Sequence, residues 1–253
     1  MRLQRPLIVA LAAAALLPAS ASAQVNWPGG TPADDPELAC IEPVPASTSV
    51  NGVTDDGQSV ELSTRVLLDG VSQAPGQEAF ARAADSYAPL GITLTASYET
   101  ASFSGDDAPN LIEQAKARFG GSRPAGSDLV YVLTSKDIQA GGNTGVAGLA
   151  DCIGGVRFPQ HAFAVGEVFE EDVPIGPLTF YADATAKIAA HELGHVMGGH
   201  HHYANCVEGI QSAQDMEGSP YTLMSNFVDF QAINFSTLNS QVVRGHAISF
   251  ASP

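Results

Sequence analysis

The chain is organised around one segment, residues 191–201, which reads His191-Glu192-Leu193-Gly194-His195-Val196-Met197-Gly198-Gly199-His200-His201. His191 and His195 are four residues apart, so on a helix both imidazoles project from one face and can bind a single ion. Gly198 follows where the helix must end, because glycine tolerates the positive φ of a sharp turn. His201 then returns from outside the helix as a third ligand. Three neutral imidazoles with an open fourth position are the ligand set of a catalytic zinc site, so the segment predicts one zinc ion.

Glu192 directly follows the first histidine and lies at the edge of the same helical face. It is predicted to be a general base that takes a proton from a zinc-bound water and passes it to the leaving amine. Two alternatives stay open. The histidines could be solvated or packed residues of an ordinary amphipathic helix, and His200 or His202 could replace His201 as the third ligand.

Upstream of this segment the hydrophobic pattern alternates between strand and helix. Alternating or continuous apolar runs predict strands, and apolar residues at helical spacing predict helices. The predicted elements are strands at Val60–Leu68, Ile92–Ala96, Asp128–Thr134 and Ala162–Phe169, and helices at Gln77–Ala88, Asn110–Phe119 and Thr185–Met197, the last capped by Asp183. Such alternation is typical of an α/β fold with a mostly parallel sheet and crossover helices. A loop-rich part follows residue 198 and ends in a predicted helix at Ser236–Ile248, with a cleft at the division.

The first residues have the features of an export signal. Arg2 and Arg5 precede an apolar run at Leu7–Leu17 and a small-residue cleavage site at Ala21–Ala23. Residues 1–23 are therefore a predicted signal peptide, 24–55 an irregular lead-in or short pro-segment, and 56–253 the main domain. The apolar run is too short to span a bilayer, so we expect a secreted product, extracellular or periplasmic, without a membrane anchor.

The charge balance narrows the classes of partner. The chain has 11 Lys and Arg against 27 Asp and Glu, a net charge of −16. A nucleic acid partner is disfavoured because it needs a basic surface, and an anionic membrane is disfavoured by the same deficit. Acidic pairs such as Asp106/Asp107 could suit calcium, but none has the spacing of a known calcium loop, and solvated turns are the preferred interpretation. Oligomeric state is left open by the sequence.

Further motifs make the sequence resemble the metzincins, and within them the adamalysin or reprolysin group, the ADAM-type catalytic domain. The histidine segment has the metzincin pattern HExxHxxGxxH. The other matching segments are the strand and its Leu-Thr ending at 128–137, Gly148-Leu149-Ala150, Cys206 five residues after His201, Tyr221-Thr222-Leu223-Met224-Ser225, and Asn234-Phe235-Ser236. The resemblance covers roughly Val60 to Ile248, which is most of the chain.

The resemblance implies a metzincin-like fold, with a twisted, mostly parallel sheet, an antiparallel edge strand and a smaller C-terminal subdomain. It implies that substrate lies extended along the edge strand at Val146, Gly148, Leu149 and Ala150, adding a strand through main-chain hydrogen bonds. It also implies that Met224 is the Met-turn methionine beneath the zinc site. Taken by itself, the stretch around the predicted edge strand could instead be a Gly-rich loop.

The three cysteines and two departures from the reprolysin pattern bear on how closely the sequence resembles that subgroup. When the three cysteines are compared with the family pattern, Cys152–Cys206 is the preferred disulfide. Cys40 could be a free thiol or a zinc ligand of a latent form. His202 stands where reprolysins usually have Asp, and the segment after Ser236 lacks the usual cysteine.

These features predict a zinc endopeptidase acting on proteins or peptides. One alternative is a secreted binding protein that keeps zinc only as a structural staple. The presence of Glu192 argues against it, because a structural site needs no base. Another alternative is a zinc hydrolase with a non-peptide substrate.

Overall fold

The computed structural model describes residues 55–168, 184–199, 222–224 and 234–251. These ranges contain strands β1 (Val60–Asp69), β2 (Ile92–Ala101), β3 (Leu129–Thr134), β4 (Gly148–Ala150) and β5 (Phe163–Glu167), and helices α1 (Gln73–Tyr87), α2 (Ala108–Arg118), α3 (Ala184–Val196) and α4 (Thr237–Phe250). Short 3-10 turns lie at Ala88–Leu90 and Gly155–Arg157. The predicted signal peptide, helix cap Asp183, ligand His201 and cysteines 40 and 206 lie outside the described residues.

The strands form one five-stranded sheet in the order β2-β1-β3-β5-β4. β1 pairs in parallel with both β2 and β3, β3 pairs in parallel with β5, and β4 alone among these strands runs antiparallel, against β5. The predicted mixed α/β class, with a mostly parallel sheet and an antiparallel edge strand, is confirmed.

The sheet is covered on both faces, which explains why the sequence of β3 is almost entirely apolar. All six residues of β3 are buried. Leu129 and Leu133 face a core shared with α1, α3 and α4, whereas Val130 and Val132 face a second core shared with α2. A strand that is buried on both faces has no solvent-facing position for a polar side chain.

Two elements, α1 and β2, extend furthest beyond their predicted bounds. α1 begins at Gln73 and includes Pro75. Proline is tolerated here because it lies in the first helical turn, where an N–H would have no partner within the helix. β2 continues to Ala101, because each of its residues from Ile92 onward pairs with a residue of β1. The final helix is confirmed at Thr237–Phe250, and Ser236 caps it by accepting a hydrogen bond from the Asn239 N–H.

Arg244 joins α4 to the beginning of the described chain. Its Nε and Nη2 donate to the two carboxylate oxygens of Asp55 at 2.9 and 2.7 Å. Its remaining donors reach the carbonyl oxygens of Gln58, Leu90 and Gly91 at 2.6 to 3.2 Å. A buried guanidinium with this many partners ties α4 to the segment entering β1 and to the turn before β2.

Among the helices that the structure describes, none has the length and hydrophobicity of a membrane-spanning segment.

This ion pair predicts a pH-dependent contribution to stability. The Arg244 guanidinium beside Asp55 lowers the pKa of that carboxyl from 3.8 to about 2. A lowered folded-state pKa contributes stability that is complete above about pH 4 and is lost as the pH falls through about 2. Asp55→Asn should therefore lower the free energy of unfolding at pH 7 by about 1–2 kcal/mol, allowing for solvent screening. Urea unfolding at several pH values should show the difference from wild type shrinking between pH 4 and 2.

The matched control is Glu78→Gln. It removes an exposed carboxylate that pairs with Arg82 along α1, and it should change the unfolding free energy by less than about 0.5 kcal/mol. A difference for Asp55→Asn that stays constant from pH 7 to pH 2 would contradict the assigned role of the ion pair.

Candidate metal centre

α3 brings the first two predicted ligands together. His191 and His195 lie one turn apart, with ring centroids separated by 4.6 Å and planes at 84°. Their Nε2 atoms are 3.0 Å apart. The i, i+4 spacing therefore directs the same atom of both imidazoles to one point beside the helix.

Backbone carbonyls orient both rings. His191 Nδ1 lies 2.7 Å from the Leu223 carbonyl oxygen, and His195 Nδ1 lies 2.8 Å from the Gly199 carbonyl oxygen. A carbonyl can only accept, so each Nδ1 carries the proton, and in the neutral rings each Nε2 is left with a lone pair. Two such nitrogens facing each other at 3.0 Å repel unless a cation binds them. The donor set therefore fits a metal, and a carbonyl on the second ring nitrogen is the usual support of a metal-binding histidine.

The third predicted ligand, His201, lies outside the described residues. Within the ranges that the structure describes, no group of three or more His, Cys, Asp or Glu side chains could hold a metal ion. α3 ends at Val196, and Gly198 has φ of +87°, so the chain turns where the sequence predicts. The assignment of residues 191, 195 and 201 as ligands stays a prediction.

Met224 is fully buried and packs on α3 at Gly194, which precedes His195 in the sequence. A Cβ at Gly194 would lie 2.7 Å from its Sδ and 3.0 Å from Phe235 Cε1, so only glycine allows this approach. The carbonyl of neighbouring Leu223 is the one that accepts the His191 proton. The segment containing Met224 therefore supports the helix and one of the two rings at the same time.

Glu192 is buried between α3 and the edge strand β4. A Cβ at Gly148 would be only 2.6 Å from both Cγ and Oε1 of Glu192, so the carboxylate occupies space that this glycine leaves. Burial raises the pKa of Glu192 to about 8, against a hydrogen bond from the Ala150 N–H that lowers it. A cation on the adjacent imidazoles would favour the ionised form and lower this pKa.

The predicted substrate strand is shorter than its four named residues. β4 begins at Gly148, so Val146 precedes it. The Glu167 N–H donates to the Ala147 carbonyl at 3.0 Å, which continues the contact with β5 by one residue. Leu149 packs toward the α2 core, while Gly148 and Ala150 lie on the side of Glu192. The alternative of a plain Gly-rich loop is therefore wrong for residues 148–150, which form a strand.

The backbone groups that hold the site could not be found from the sequence. The carbonyls of Leu223 and Gly199 and the N–H of Ala150 have no signature there, because any residue type carries them. The room left by Gly148 could have been suspected from the glycine alone.

Cys152 is buried near the end of α3, where the Gly154 N–H donates to the His195 carbonyl at 2.9 Å. Its pairing with Cys206 stays a prediction, since Cys206 is outside the described residues.

Three solved structures are similar to this chain at low identity. Archaemetzincin from Methanopyrus kandleri is 20% identical with a TM-score of 0.46, and the match covers 77% of this chain and 98% of that one. Archaemetzincin from Archaeoglobus fulgidus is 19% identical with a TM-score of 0.45, covering 72% and 99%. A zinc-dependent peptidase from Methanocorpusculum labreanum is 16% identical with a TM-score of 0.44, covering 71% and 99%. Such distant likeness carries no argument about activity. No curated protein matches the sequence.

A family model described as metallo-peptidase family M12B, reprolysin-like, matches residues 92–252. That range is more than half of the chain and runs from β2 through β4 and the histidine segment to the end of α4. The match confirms the resemblance to a metzincin metallopeptidase, whereas the narrower ADAM type stays a prediction. The sequence pattern, the fold and the paired imidazoles agree with it, and the chain belongs to the M12B reprolysin-like metallopeptidase family.

Proposed function

We propose that the chain is a secreted zinc endopeptidase, with one zinc ion held by His191, His195 and His201. The observation that carries the proposal is the pair of Nε2 atoms 3.0 Å apart on the same helix as the buried side chain of Glu192. Family membership supports the coarser statement, a zinc-dependent peptidase.

The residues of the chain divide the chemistry between them. Zinc, when bound, would supply Lewis acidity that activates a water and polarises the scissile carbonyl. Glu192 takes a proton from the attacking water onto a carboxylate oxygen and returns it to the leaving nitrogen. The Ala150 N–H orients this carboxylate, and its burial excludes competing water. The Leu223 and Gly199 carbonyls keep both Nδ1 atoms protonated, so that both Nε2 atoms are available as ligands.

Endopeptidase specificity is proposed from the position of β4. β4 lies at one edge of the described sheet, and Glu192 lies against it. A substrate strand lying along that edge would continue past both ends of a three-residue strand, so a bond far from either terminus could reach the base. The non-catalytic alternative is disfavoured, because burying a carboxylate beside two imidazoles costs free energy and brings no benefit to a purely structural site.

The test is zinc-dependent cleavage of a quenched peptide that is blocked at both termini. The purified mature chain should contain one zinc ion and cleave the peptide internally. Removal of zinc with 1,10-phenanthroline should abolish cleavage, and added zinc should restore it, because the metal would supply the Lewis acidity that the reaction needs. A protein that holds zinc and cleaves no peptide would overturn the proposal in favour of a structural site.

Secretion and the disulfide are part of the same proposal. The predicted signal peptide, which ends at Ala23, supports secretion. The oxidising compartment that export would reach supports the disulfide. N-terminal sequencing of the exported protein should begin at Gln24, and unreduced peptide mapping should link Cys152 to Cys206. A mature chain that retains residues 1–23 would exclude cleavage after Ala23, and a map that links Cys40 to either cysteine would replace the predicted pair.

A further inference from the structure

A fully buried histidine, His246, lies on α4 and is not one of the predicted zinc ligands. His246 has no exposed surface. Its Nδ1 lies 2.9 Å from the Val242 carbonyl oxygen, one helical turn earlier, and its ring packs at 5.6 Å from that of Phe250. Since the carbonyl can only accept, Nδ1 donates, and this bond fixes the orientation of the ring.

The His246 ring is in direct contact with the turn that ends α3. A Cβ placed on Gly198 would lie 2.5 Å from Cε1, 2.8 Å from Nδ1 and 3.0 Å from Nε2 of His246. The imidazole therefore packs on the backbone at Gly198, at the residue whose φ of +87° turns the chain out of the helix. Glycine is needed here both for its φ and for the space that the ring occupies.

The same turn orients a predicted zinc ligand. The Gly198 N–H donates to the His195 carbonyl and the Gly199 N–H to the Gly194 carbonyl, both at 2.8 Å. The Gly199 carbonyl in return accepts the His195 Nδ1 proton at 2.8 Å. A small displacement of the turn would lengthen this last bond and rotate the imidazole.

We infer that His246 is a positioning residue of the metal centre: its ring supports the Gly198–Gly199 turn, which holds the Gly199 carbonyl on His195 Nδ1. The inference rests on the proposed function, because it treats His195 as a zinc ligand. His246 acts through the turn and is not assigned as a ligand. A hydrogen-bonded ring suits this task, since Nδ1 is anchored to the Val242 carbonyl of α4 while the edge formed by Nδ1, Cε1 and Nε2 packs on Gly198.

The main test is His246→Asn. The asparagine amide keeps a donor close to the position of Nδ1 and removes the part of the ring beyond it. Zinc affinity, measured by competition with a chromophoric chelator, should fall about 10–100-fold, the range found for outer-shell partners of metal ligands. In the zinc-free protein, NMR should show faster exchange of the His195 Nδ1 proton with water.

The matched control is Val243→Ala, which removes buried apolar atoms from the same helix. It should lower the urea midpoint while leaving zinc affinity within about twofold, because the three atoms nearest to a Cβ at Gly198 all belong to His246. If His246→Asn lowers the midpoint in the same way and binds zinc as wild type does, His246 is only a core residue and the inference fails.

A double-mutant cycle covers the case in which His246→Asn does not fold. Gly198→Ala should weaken zinc binding through strain and through collision with the ring, and adding His246→Ala should recover part of the loss by removing that collision. Additive effects would overturn the inference. A wild-type chain that binds no zinc would instead overturn the proposed function, and the NMR comparison would still show whether His246 orients His195.

Discussion

Replacement of Glu192 by glutamine should lower kcat for peptide hydrolysis by about 10²–10⁴-fold, the contribution of a positioned general base. Glutamine has nearly the shape of glutamate, so it should fit the space beside Gly148 and accept the Ala150 N–H through its amide oxygen. The amide cannot take a proton from water. KM should change little, because Glu192 is assigned to the proton transfer and β4 to substrate binding.

Zinc content separates this effect from damage to the site. The Glu192→Gln variant should still bind one zinc ion per chain, since both imidazoles and their carbonyl partners are untouched. Its fold should not suffer, because a buried neutral amide costs less than a buried carboxylate. Glu113→Gln, which alters an exposed carboxylate on α2, should retain full activity. If Glu192→Gln keeps more than about a tenth of the wild-type kcat, Glu192 is excluded as the base.

The second large effect is expected from His195→Ala, which should weaken zinc binding by at least about 100-fold. Loss of an outer-shell partner alone costs about 10–100-fold, and this change removes a ligand together with the Gly199 hydrogen bond. Peptide cleavage should disappear with the metal. His191→Ala should behave in the same way, because the Nε2 atoms of His191 and His195 are 3.0 Å apart and would bind the same ion.

Thermodynamic linkage supplies an independent measurement for His195→Ala. Zinc at about 100 times its dissociation constant should raise the free energy of unfolding of the wild-type chain by about 2.7 kcal/mol. The same concentration should leave His195→Ala almost unchanged. His161→Ala is the control, since His161 pairs with Asp151 and is not a predicted zinc ligand, so its loss should not alter the effect of zinc. A variant lacking His195 that is stabilised like wild type would show that zinc binds elsewhere.

Much of the fold could be predicted because its signals are local. The apolar run of β3 predicts burial on both faces, and β3 lies at the centre of the sheet. The ends of elements were harder to predict. β2 continues to Ala101 because β1 supplies hydrogen-bond partners along its whole length, and the composition of β2 contains no trace of that pairing. α1 begins at Gln73, ahead of its predicted start at Gln77, and its first turn accommodates Pro75.

The site shows the same division. The facing of His191 and His195 follows from the helical period, and the end of α3 follows from Gly198, so both could be predicted before any coordinates. Leu223 and Gly148 meet α3 from separate parts of the chain, and their roles depend on a carbonyl and on an absent side chain.

The sequence alone identified the candidate chemical groups, because one short segment contains two imidazoles and a carboxylate at helical spacing. Only the tertiary structure decided how those groups are oriented. The turn after α3 and the segment at 222–224 supply the backbone carbonyls. β4 supplies the N–H of Ala150, and α4 supplies the ring of His246. Most of these contacts join residues far apart in the chain, and the packing of separate elements sets their distances.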